Sequence, residues 1–394
     1  MAHSTDKKFN GVTFCICGGG SLAHAVAAVL SASPSNKVLI LSRQPALWSQ
    51  KLILNYRNEI TLTGKLEMVS DNPAEMIPPA DIIFIIVPHA AREEVLLSIV
   101  PFVRPDTWVG ALPGFAGFGW TARHYFTQKI RLFGFQRVPY VCKKEVYGTK
   151  VNVSGIRPRN YIAALPAAEV NTIAAVLRKA MNLYIIPVPN YLNICFSRSN
   201  SVFHPARLYG LCQDWDGSNS PFFKAPQNFY SDWDNKSSEI FFGMDAEMQS
   251  AAALIPLDLL WAQPVLQHYE IAFRSDLTDR IRSIKALSDR PFPMVQVEGG
   301  YIPDRNSYYF TEDMVYGLTT LKSIFTITGI PSPVTDTVLK WAQKILDTNW
   351  ITEQGQLQNI SHSMPWPQRF GIKTITELSS FCVKGKLLNN KMNV

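Results

Sequence analysis

The stretch "FCICGGGSLAHAVAAVL" (residues 14–30) constrains the fold more than any other part of the chain. A short apolar run passes straight into three glycines, and these into an Ala-rich segment of helical character. Residues 18–23 read Gly18-Gly19-Gly20-Ser21-Leu22-Ala23, a G-x-G-x-x-A pattern directly after a strand and directly before a helix. In that setting each small residue has a task. Gly18 makes the tight turn, Gly20 leaves room for a pyrophosphate, and Ala23 lets the helix pack closely on the strand. The helix start, with Ser21 and Leu22 behind Gly19 and Gly20, offers unpaired N–H groups and partial positive charge to phosphates. All six positions are candidate cofactor residues.

The strand–helix theme repeats along the first half of the chain. "KVLILS" (37–42), "ADIIFIIVP" (80–88) and "WVGALPG" (108–114) are continuous apolar runs, as in a parallel sheet covered on both faces. "VPYVC" and "KVNVSGI" add strands near 138–156, and "PAAEVNTIAAVLRKAM" (166–181) reads as a helix. "YIIPVPN" (184–190), with two prolines, leads out of the domain. Beyond it the period changes. Residues 244–273 are helical but cut or kinked by interior prolines. Residues 312–328 and 333–347 are helices, and 218–238 form a long polar-aromatic loop. The expectation is an α/β protein. A Rossmann domain, a doubly wound parallel sheet, spans 1–188, and an all-helical domain spans 189–394. A chain of 394 residues, 47% apolar, can bury two such cores.

About 20 residues past the glycine turn, a site for NAD usually carries Asp or Glu to hold the ribose hydroxyls. This chain has Ser42-Arg43. A hydroxyl and a guanidinium suit a 2′-phosphate, which a carboxylate would repel. NADP(H) is therefore the expected cofactor, with NAD(H) the alternative. Pro88 and His89 end another strand, on the side where open parallel sheets bind ligands, and join the cofactor set.

Composition excludes other classes. The net charge is +7, but Lys and Arg are scattered, and no basic run interleaved with aromatics marks a nucleic-acid groove. Cys15, Cys17, Cys142, Cys195, Cys212 and Cys382 show no zinc spacing and read as free thiols in a reducing compartment. No metal is expected. The first eleven residues have no apolar core, and three glycines break the run behind them, so neither a signal peptide nor a membrane span is expected. The expectation is a cytoplasmic protein without a membrane partner.

The second half offers a His and two carboxylates. In "SRSNSVFHPARLYG" (197–210), Pro205 places His204 at a helix entrance. In "PDRNSYYFTEDMVYGL" (303–318), Glu312 and Asp313 fall in the first turn of a helix. A His and a carboxylate from separate segments can form a general acid/base pair.

With "CGGG…AH", the "VP" at 87–88, "LPGFAGF" (112–118), "NSVFHP" (200–205), "TED" (311–313), "GIPSPVTDTVL" (329–339) and "PQRFGI" (367–372), the chain resembles the octopine/nopaline dehydrogenase family, the opine dehydrogenases, through nearly its whole length. The resemblance implies a Rossmann domain followed by a helical substrate domain. It also implies a reaction: an amino acid's amine and a 2-oxo acid form an imine, which NAD(P)H reduces. By this resemblance His204 donates and accepts the proton, Asp313 orients its ring and stabilises the imidazolium, and Asn200 positions substrate or cofactor.

Two positions depart from the family pattern. Several members have an Arg directly before the "Y-[LF]-x-E-D" segment, to hold the oxo-acid carboxylate. Here Tyr308 stands there, and a phenol cannot neutralise a carboxylate. Arg305 or Arg207 would have to compensate. In "FGFQRVPYVCKK" (133–144), Gln136 beside Arg137 replaces a carboxylate of the octopine-type member, which argues against a cationic amine and for a neutral or acidic one. His24 reads as packed near the turn. His124, His268 and His362 have no partner motif, and Trp215 and Trp233 are candidates to shape the amine pocket.

Two other readings stand beside this one. One is an NADP-dependent 2-oxo/hydroxy acid dehydrogenase of similar architecture, a type that usually has a catalytic Lys in its helical domain. The other is a non-catalytic NADP(H)-binding sensor. Partners are expected to be small molecules, an amino acid and a 2-oxo acid. The sequence fits a monomer or a homodimer.

Overall fold

The structure, a computed structural model, describes residues 11–387 except 58, 197, 198, 286, 289, 359 and 361–363, with the side chain of Ser199 also outside the description. The segment 1–10 and His362 lie outside the described residues. The chain divides into two units: Met1–Cys195 with Ser380–Val394, and Phe196–Ser379. The boundary falls seven residues later than the prolines suggest, and the carboxyl end belongs to the first unit. Tyr191 explains the first difference. It is fully buried, its hydroxyl donates to the Gly114 carbonyl (3.0 Å), and Gly134 leaves the space its ring occupies. Phe381 and Cys382 explain the second. Both are fully buried in that same unit, where Tyr191 N–H donates to the Cys382 carbonyl (3.0 Å) and Trp120 meets Phe381 edge-on.

The first unit is built on an eight-stranded sheet. Its strands lie in the order Ile185–Pro187, Asn160–Leu165, Arg131–Phe135, Trp108–Ala111, Ile82–Ile85, Thr13–Cys17, Lys37–Leu41, Met68–Ser70. Every pairing is parallel except that of Asn160–Leu165 with Arg131–Phe135. The central strands are buried throughout, which is why they read as unbroken apolar runs. Cys17 stands level with Leu41 on one side and Ile85 on the other. The strand order reverses at Thr13–Cys17, so the glycine turn, Ser42 and Pro88 all issue from carboxyl ends at the switch point where such sheets bind ligands.

A second sheet was only half legible in the sequence. Tyr140–Val146 and Lys150–Ile156 are strands as expected, but they join Lys51–Tyr56 and Ile60–Lys65 in a separate four-stranded sheet. That sheet packs on the helix Ser21–Ser31. Gly64 allows the approach, since a Cβ there would meet Ser31 Oγ at 2.0 Å.

The second unit is helical with one addition: Met294–Val297 and Gly300–Pro303 form an antiparallel hairpin, so it is not all-helical. The proline-cut segment begins earlier than its periodicity suggests, as a 20-residue helix Asn235–Leu254 capped by Asp234, and resumes at Val265–Tyr269 after the prolines. Two π-helices, Ser199–Phe203 and Tyr309–Leu318, run into the α-helices His204–Cys212 and Thr319–Thr328. Such wide turns displace side chains from the ordinary α register and are frequent at functional sites. Among the described residues no helix is long and apolar enough to cross a membrane.

Candidate active site

The helix Ser21–Ser31 begins at Gly20 with no side-chain cap and no acidic residue in its first turn. Its first N–H groups therefore face a cleft of about 690 Å³, lined by Gly18, Gly19, Gly20, Ser42, Arg43, Pro88, Lys144 and Tyr147 among others. That volume suits a small-molecule site. Gly18 has φ +146°, and a Cβ there would lie 2.2 Å from the Ile86 carbonyl oxygen. Gly20 has nothing within 4 Å of the corresponding point. The first glycine is needed by the fold, and the third leaves an open approach to the backbone. These features fit a dinucleotide pyrophosphate. Ala23 is fully buried and Leu22 packs against the core.

The other expected cofactor residues divide. Arg43 lines the cleft and is exposed. The Ser42 hydroxyl accepts from the Trp48 indole N–H (3.2 Å) and the Gln44 amide (3.3 Å), and lies 3.3 Å from the Tyr147 hydroxyl. The Ser21 hydroxyl accepts from Lys144 N–H (3.1 Å). Both serines are tied to protein partners. His89 is buried at the start of the helix His89–Ile99, 5.0 Å from the Phe115 ring. His24 Nδ1 donates to the Gly20 carbonyl (2.8 Å), Nε2 accepts from Gly148 N–H (2.7 Å), and the ring stacks on Trp48, so it braces the turn. Tyr147 and Lys144 were not singled out in the sequence. They reach the cleft because the second sheet folds over the helix, and nothing local announces that.

In the second unit, His204 and Asp313 meet. His204 Nδ1 lies 2.7 Å from Asp313 Oδ2, with the residues 5% and 2% exposed. Asn200 adds a hydrogen bond to the same carboxyl. Burial pushes the Asp313 carboxyl above its ordinary range, while His204 and Asn200 pull the other way. The second ring nitrogen, Nε2, lies 2.7 Å from the Tyr230 hydroxyl. The Tyr309 ring packs edge-on to the imidazole at 4.5 Å and stacks on Phe229 at 4.2 Å. The Tyr308 and Tyr309 rings lie side by side, with centroids 4.2 Å apart. Burial pushes all three phenols up, and the Arg290 charge opposes it on each. Tyr230, Tyr309 and Arg290 were not picked out in the sequence; only Tyr308 was.

The remaining expected substrate residues lie in different surroundings. Arg207 is fully buried and all its nitrogens are engaged. Nε donates to the Phe229 carbonyl (2.9 Å), Nη1 to Asp234 (3.0 Å) and Ser237 Oγ (3.1 Å), and Nη2 to the Asp232 carbonyl (2.6 Å). It organises the loop that carries Tyr230 and is not presented to a substrate. Arg305 is exposed and donates to the Ile345 carbonyl (3.4 Å). Gln136 is buried in the first unit, where its amide donates to the Asn193 carbonyl (2.9 Å); it is a structural cross-link. Its neighbour Arg137 is half-buried. Trp233 is fully buried, and its indole N–H donates to Ser238 Oγ. Trp215 is buried and donates to the Ser218 carbonyl, so both tryptophans are packing anchors. Lys322, the buried lysine of this unit, is held by Asp336 (2.6 Å) and Ser332 (2.8 Å) in an internal ion pair.

A doubly wound sheet with a phosphate-ready glycine turn, followed by a helical unit with a buried His–Asp pair, defines a nicotinamide-dinucleotide protein of the two-domain dehydrogenase class. Residues 187–346 match the family model for the α-helical domain of NAD/NADP octopine/nopaline dehydrogenases. The opine dehydrogenase of Haliotis discus hannai is 26% identical, over 93% of this chain and 98% of its own length. The tauropine dehydrogenase of Arabella iricolor is 24% identical, over 93% of this chain and 100% of its own. An octopine dehydrogenase bound to NADH and L-arginine superposes with a TM-score of 0.83 at 23% identity, covering 97% of this chain and 100% of that one. A yersinopine dehydrogenase bound to NADP+ gives 0.66 at 16%, covering 86% and 91%. At such identities the superpositions speak for the fold alone. The chain is thus similar to the octopine/nopaline dehydrogenases in its helical domain and to individual opine dehydrogenases over nearly its whole length.

Proposed function

We propose that this protein is an NAD(P)H-dependent opine dehydrogenase, which joins the amine of an amino acid to a 2-oxo acid through an imine and reduces it. The observation that carries this reading is the buried His204–Asp313 pair, with His204 directly after one π-helix and Asp313 on the other, within the segment that matches the family's helical domain. Gly18–Ala23 and the uncapped helix start would hold the pyrophosphate of a dinucleotide, with Arg43 lining the same cleft. The bound dinucleotide supplies the hydride. His204 takes the proton that frees the amine from its ammonium form, so that the amine attacks, and returns it to the departing hydroxyl; the secondary amine formed takes up one further proton from solvent. Asp313 fixes the Nδ1–H tautomer and stabilises the imidazolium, as a carboxylate does behind a catalytic histidine. Asn200 holds Asp313 in place through its hydrogen bond.

NADP(H) is the preferred cofactor in this reading. Arg43 lies exposed in the cleft with Lys144, and the end of the second strand carries Ser42 where NAD sites place a carboxylate. The cation for the oxo-acid carboxylate is Arg290, whose charge bears on Tyr230, Tyr308 and Tyr309 together. Gln136 carries no negative charge to attract a cationic amine, and its amide is engaged by the Asn193 carbonyl, so a neutral or acidic amine fits better. The ion pair that holds Lys322 argues against lysine-based oxo-acid reduction.

The test is oxidation of NADPH and NADH, followed by absorbance, across a matrix of amino acids and 2-oxo acids. Consumption only where both substrates are present supports the opine reading and names the pair. Consumption with an oxo acid alone would reassign the protein to alcohol formation. Binding of the cofactor with silence in every well would favour the non-catalytic sensor.

A further inference from the structure

His24 joins two segments of the first unit: the helix Ser21–Ser31 and the turn at 147–149, which follows the strand Tyr140–Val146. Its ring has two partners that cannot exchange roles. The Gly20 carbonyl, 2.8 Å from Nδ1, only accepts, and the Gly148 N–H, 2.7 Å from Nε2, only donates. The ring is therefore neutral, with its proton on Nδ1. It is 1% exposed, stacked on Trp48 at 4.3 Å and met edge-on by Tyr147 at 5.3 Å. The turn it holds is part of the cofactor cleft. The Tyr147 hydroxyl lies over Gly19, where a Cβ would meet it at 2.5 Å, and stands 3.3 Å from Ser42 Oγ. Tyr147 and Lys144 line the cleft together with Gly18, Gly19, Gly20 and Arg43.

We propose that His24 is a positioning residue for the dinucleotide: its neutral ring ties the 147–149 turn to the glycine turn, and a proton on Nε2 unties them, withdrawing Tyr147 and Lys144 from the cleft. A protonated ring would set Nε2–H against Gly148 N–H, two donors facing each other at 2.7 Å. Of the elements packed on Ser21–Ser31, and among the described residues, Tyr140–Val146 sets a charge against the ring, that of Lys144; the Tyr147 phenol is the other ionisable neighbour, and the helix has no acidic residue in its first turn. Burial disfavours the charged ring most, the Gly20 carbonyl opposes this, and Lys144 adds to it, so His24 titrates below its ordinary 6.5. The tied state therefore holds its proton less well than the untied one. Its full strength is present above about pH 6.5, and it is lost as pH falls through the lowered value. The other link between the two segments, Lys144 N–H to Ser21 Oγ (3.1 Å), contains no titratable atom, so pH acts on the pair through His24.

The inference rests on the glycine turn being a dinucleotide site, so the test has one arm without cofactor and one with it. His24→Gln stays uncharged at every pH and keeps an oxygen to accept from Gly148 N–H. Hydrogen exchange of the full-length protein without cofactor, read by mass spectrometry over 146–150 and corrected for the intrinsic rate, is followed from pH 8 to pH 5. Protection in the parent should hold above about pH 6.5 and fall below it by up to about tenfold per pH unit; in His24→Gln it should not change with pH. No fall in the parent, or the same fall in both, would overturn the tie. In the second arm, ring NMR of protein labelled with ¹⁵N-histidine, assigned with the variant, gives the His24 titration midpoint. NAD⁺ is the probe, because the 2′-phosphate of NADP⁺ itself titrates in this range. Saturating NAD⁺ should move the midpoint lower by about 0.5 in pH or more, which is about a threefold preference for the neutral ring. A midpoint that bound NAD⁺ leaves unchanged would overturn the positioning role. Failure of both NAD⁺ and NADP⁺ to bind, with protection still falling below pH 6.5, would refute the cofactor reading and not the tie.

Discussion

Gly317 lies against Ser201 so closely that a Cβ on Gly317 would stand 2.6 Å from the serine Oγ and 3.1 Å from its Cα. The two residues belong to the two π-helices, one carrying Asn200 and leading to His204, the other carrying Asp313. The close approach lets the 2.7 Å dyad bond form across 109 residues of chain. A methyl group must push the helices apart, because backbone as well as side chain stands in its way. Gly317→Ala is expected to cost about 1–3 kcal/mol, as overpacking does, and to lower kcat more than the loss of folded protein explains. Urea unfolding and turnover per folded molecule, measured together, test this; a stable variant with parental kcat would contradict it.

Asp313→Asn keeps the size of the side chain and removes its charge. Turnover should fall by about 100- to 10,000-fold, the range for losing acid/base function, with little change in cofactor affinity by fluorescence titration. The pH profile carries the sign. Because burial raises the Asp313 carboxyl above its ordinary value of 3.8, the ionised form that stabilises the imidazolium exists only above that raised pKa. The acid limb of kcat/KM should therefore lie above the aspartate range in the parent and vanish in the variant. An identical limb in both would assign it to another group.

Gly18 and Gly20 should separate stability from binding. Gly18→Ala places a Cβ 2.2 Å from the Ile86 carbonyl at a φ that L-residues rarely adopt, so the turn cannot form and the melting temperature should drop. Gly20→Ala meets nothing within 4 Å, so it should fold as the parent does and bind dinucleotide poorly, because the methyl occupies the pyrophosphate approach. Calorimetric unfolding with a cofactor titration distinguishes them; tight binding by Gly20→Ala would move the pyrophosphate off this turn.

The sheet and its switch point were legible because strands buried on both faces must be apolar throughout, as "IIFI" at 82–85 is. The strands at 51–65 were not. Ile60–Lys65 is mostly exposed and too short and polar to stand out as an apolar run. The His204–Asp313 pair was legible through its flanking motifs. Tyr230 was not, since its place beside Nε2 is set by Arg207, which gathers the carbonyls of Phe229 and Asp232 and the side chains of Asp234 and Ser237. The sequence marked Arg207 as a cation near the histidine. Its burial, visible only in the fold, turns it from a substrate ligand into a loop organiser.

That reassignment predicts opposite behaviour for two arginines. Arg207→Met leaves buried carbonyls and a carboxylate without their donor, and should cost about 3–5 kcal/mol, as breaking a buried pair does. Arg290→Met should leave stability within about 0.5 kcal/mol, as for a partly exposed side chain, and raise KM for the oxo acid more than it lowers kcat. The KM for the amine should change less. Denaturant titrations and steady-state kinetics on both variants decide the matter. A stable Arg207→Met with a raised oxo-acid KM would restore Arg207 as the carboxylate anchor.

Cofactor choice turns on Arg43, since the Ser42 hydroxyl is engaged by Trp48 and Gln44. If Arg43 alone grips the 2′-phosphate, Arg43→Ala removes one charge-assisted contact, about 1.5–3 kcal/mol. NADPH affinity should then weaken by roughly ten- to a hundredfold, with NADH affinity little changed. Lys144 lines the same cleft, with its ammonium 4.8 Å from the centre of the Tyr147 ring. It offers a second cation, and the two contributions separate in a double-mutant cycle. Arg43→Ala, Lys144→Met and the double variant are titrated with NADPH and NADH at fixed, low salt, because exposed charges are screened. A loss in Lys144→Met shared equally by both cofactors would place Lys144 at the pyrophosphate, and a loss confined to NADPH would place it at the 2′-phosphate. Equal NADPH and NADH affinities in parent and Arg43→Ala would show that the enzyme does not read the 2′-phosphate at this strand end, and NAD(H) would become the working cofactor.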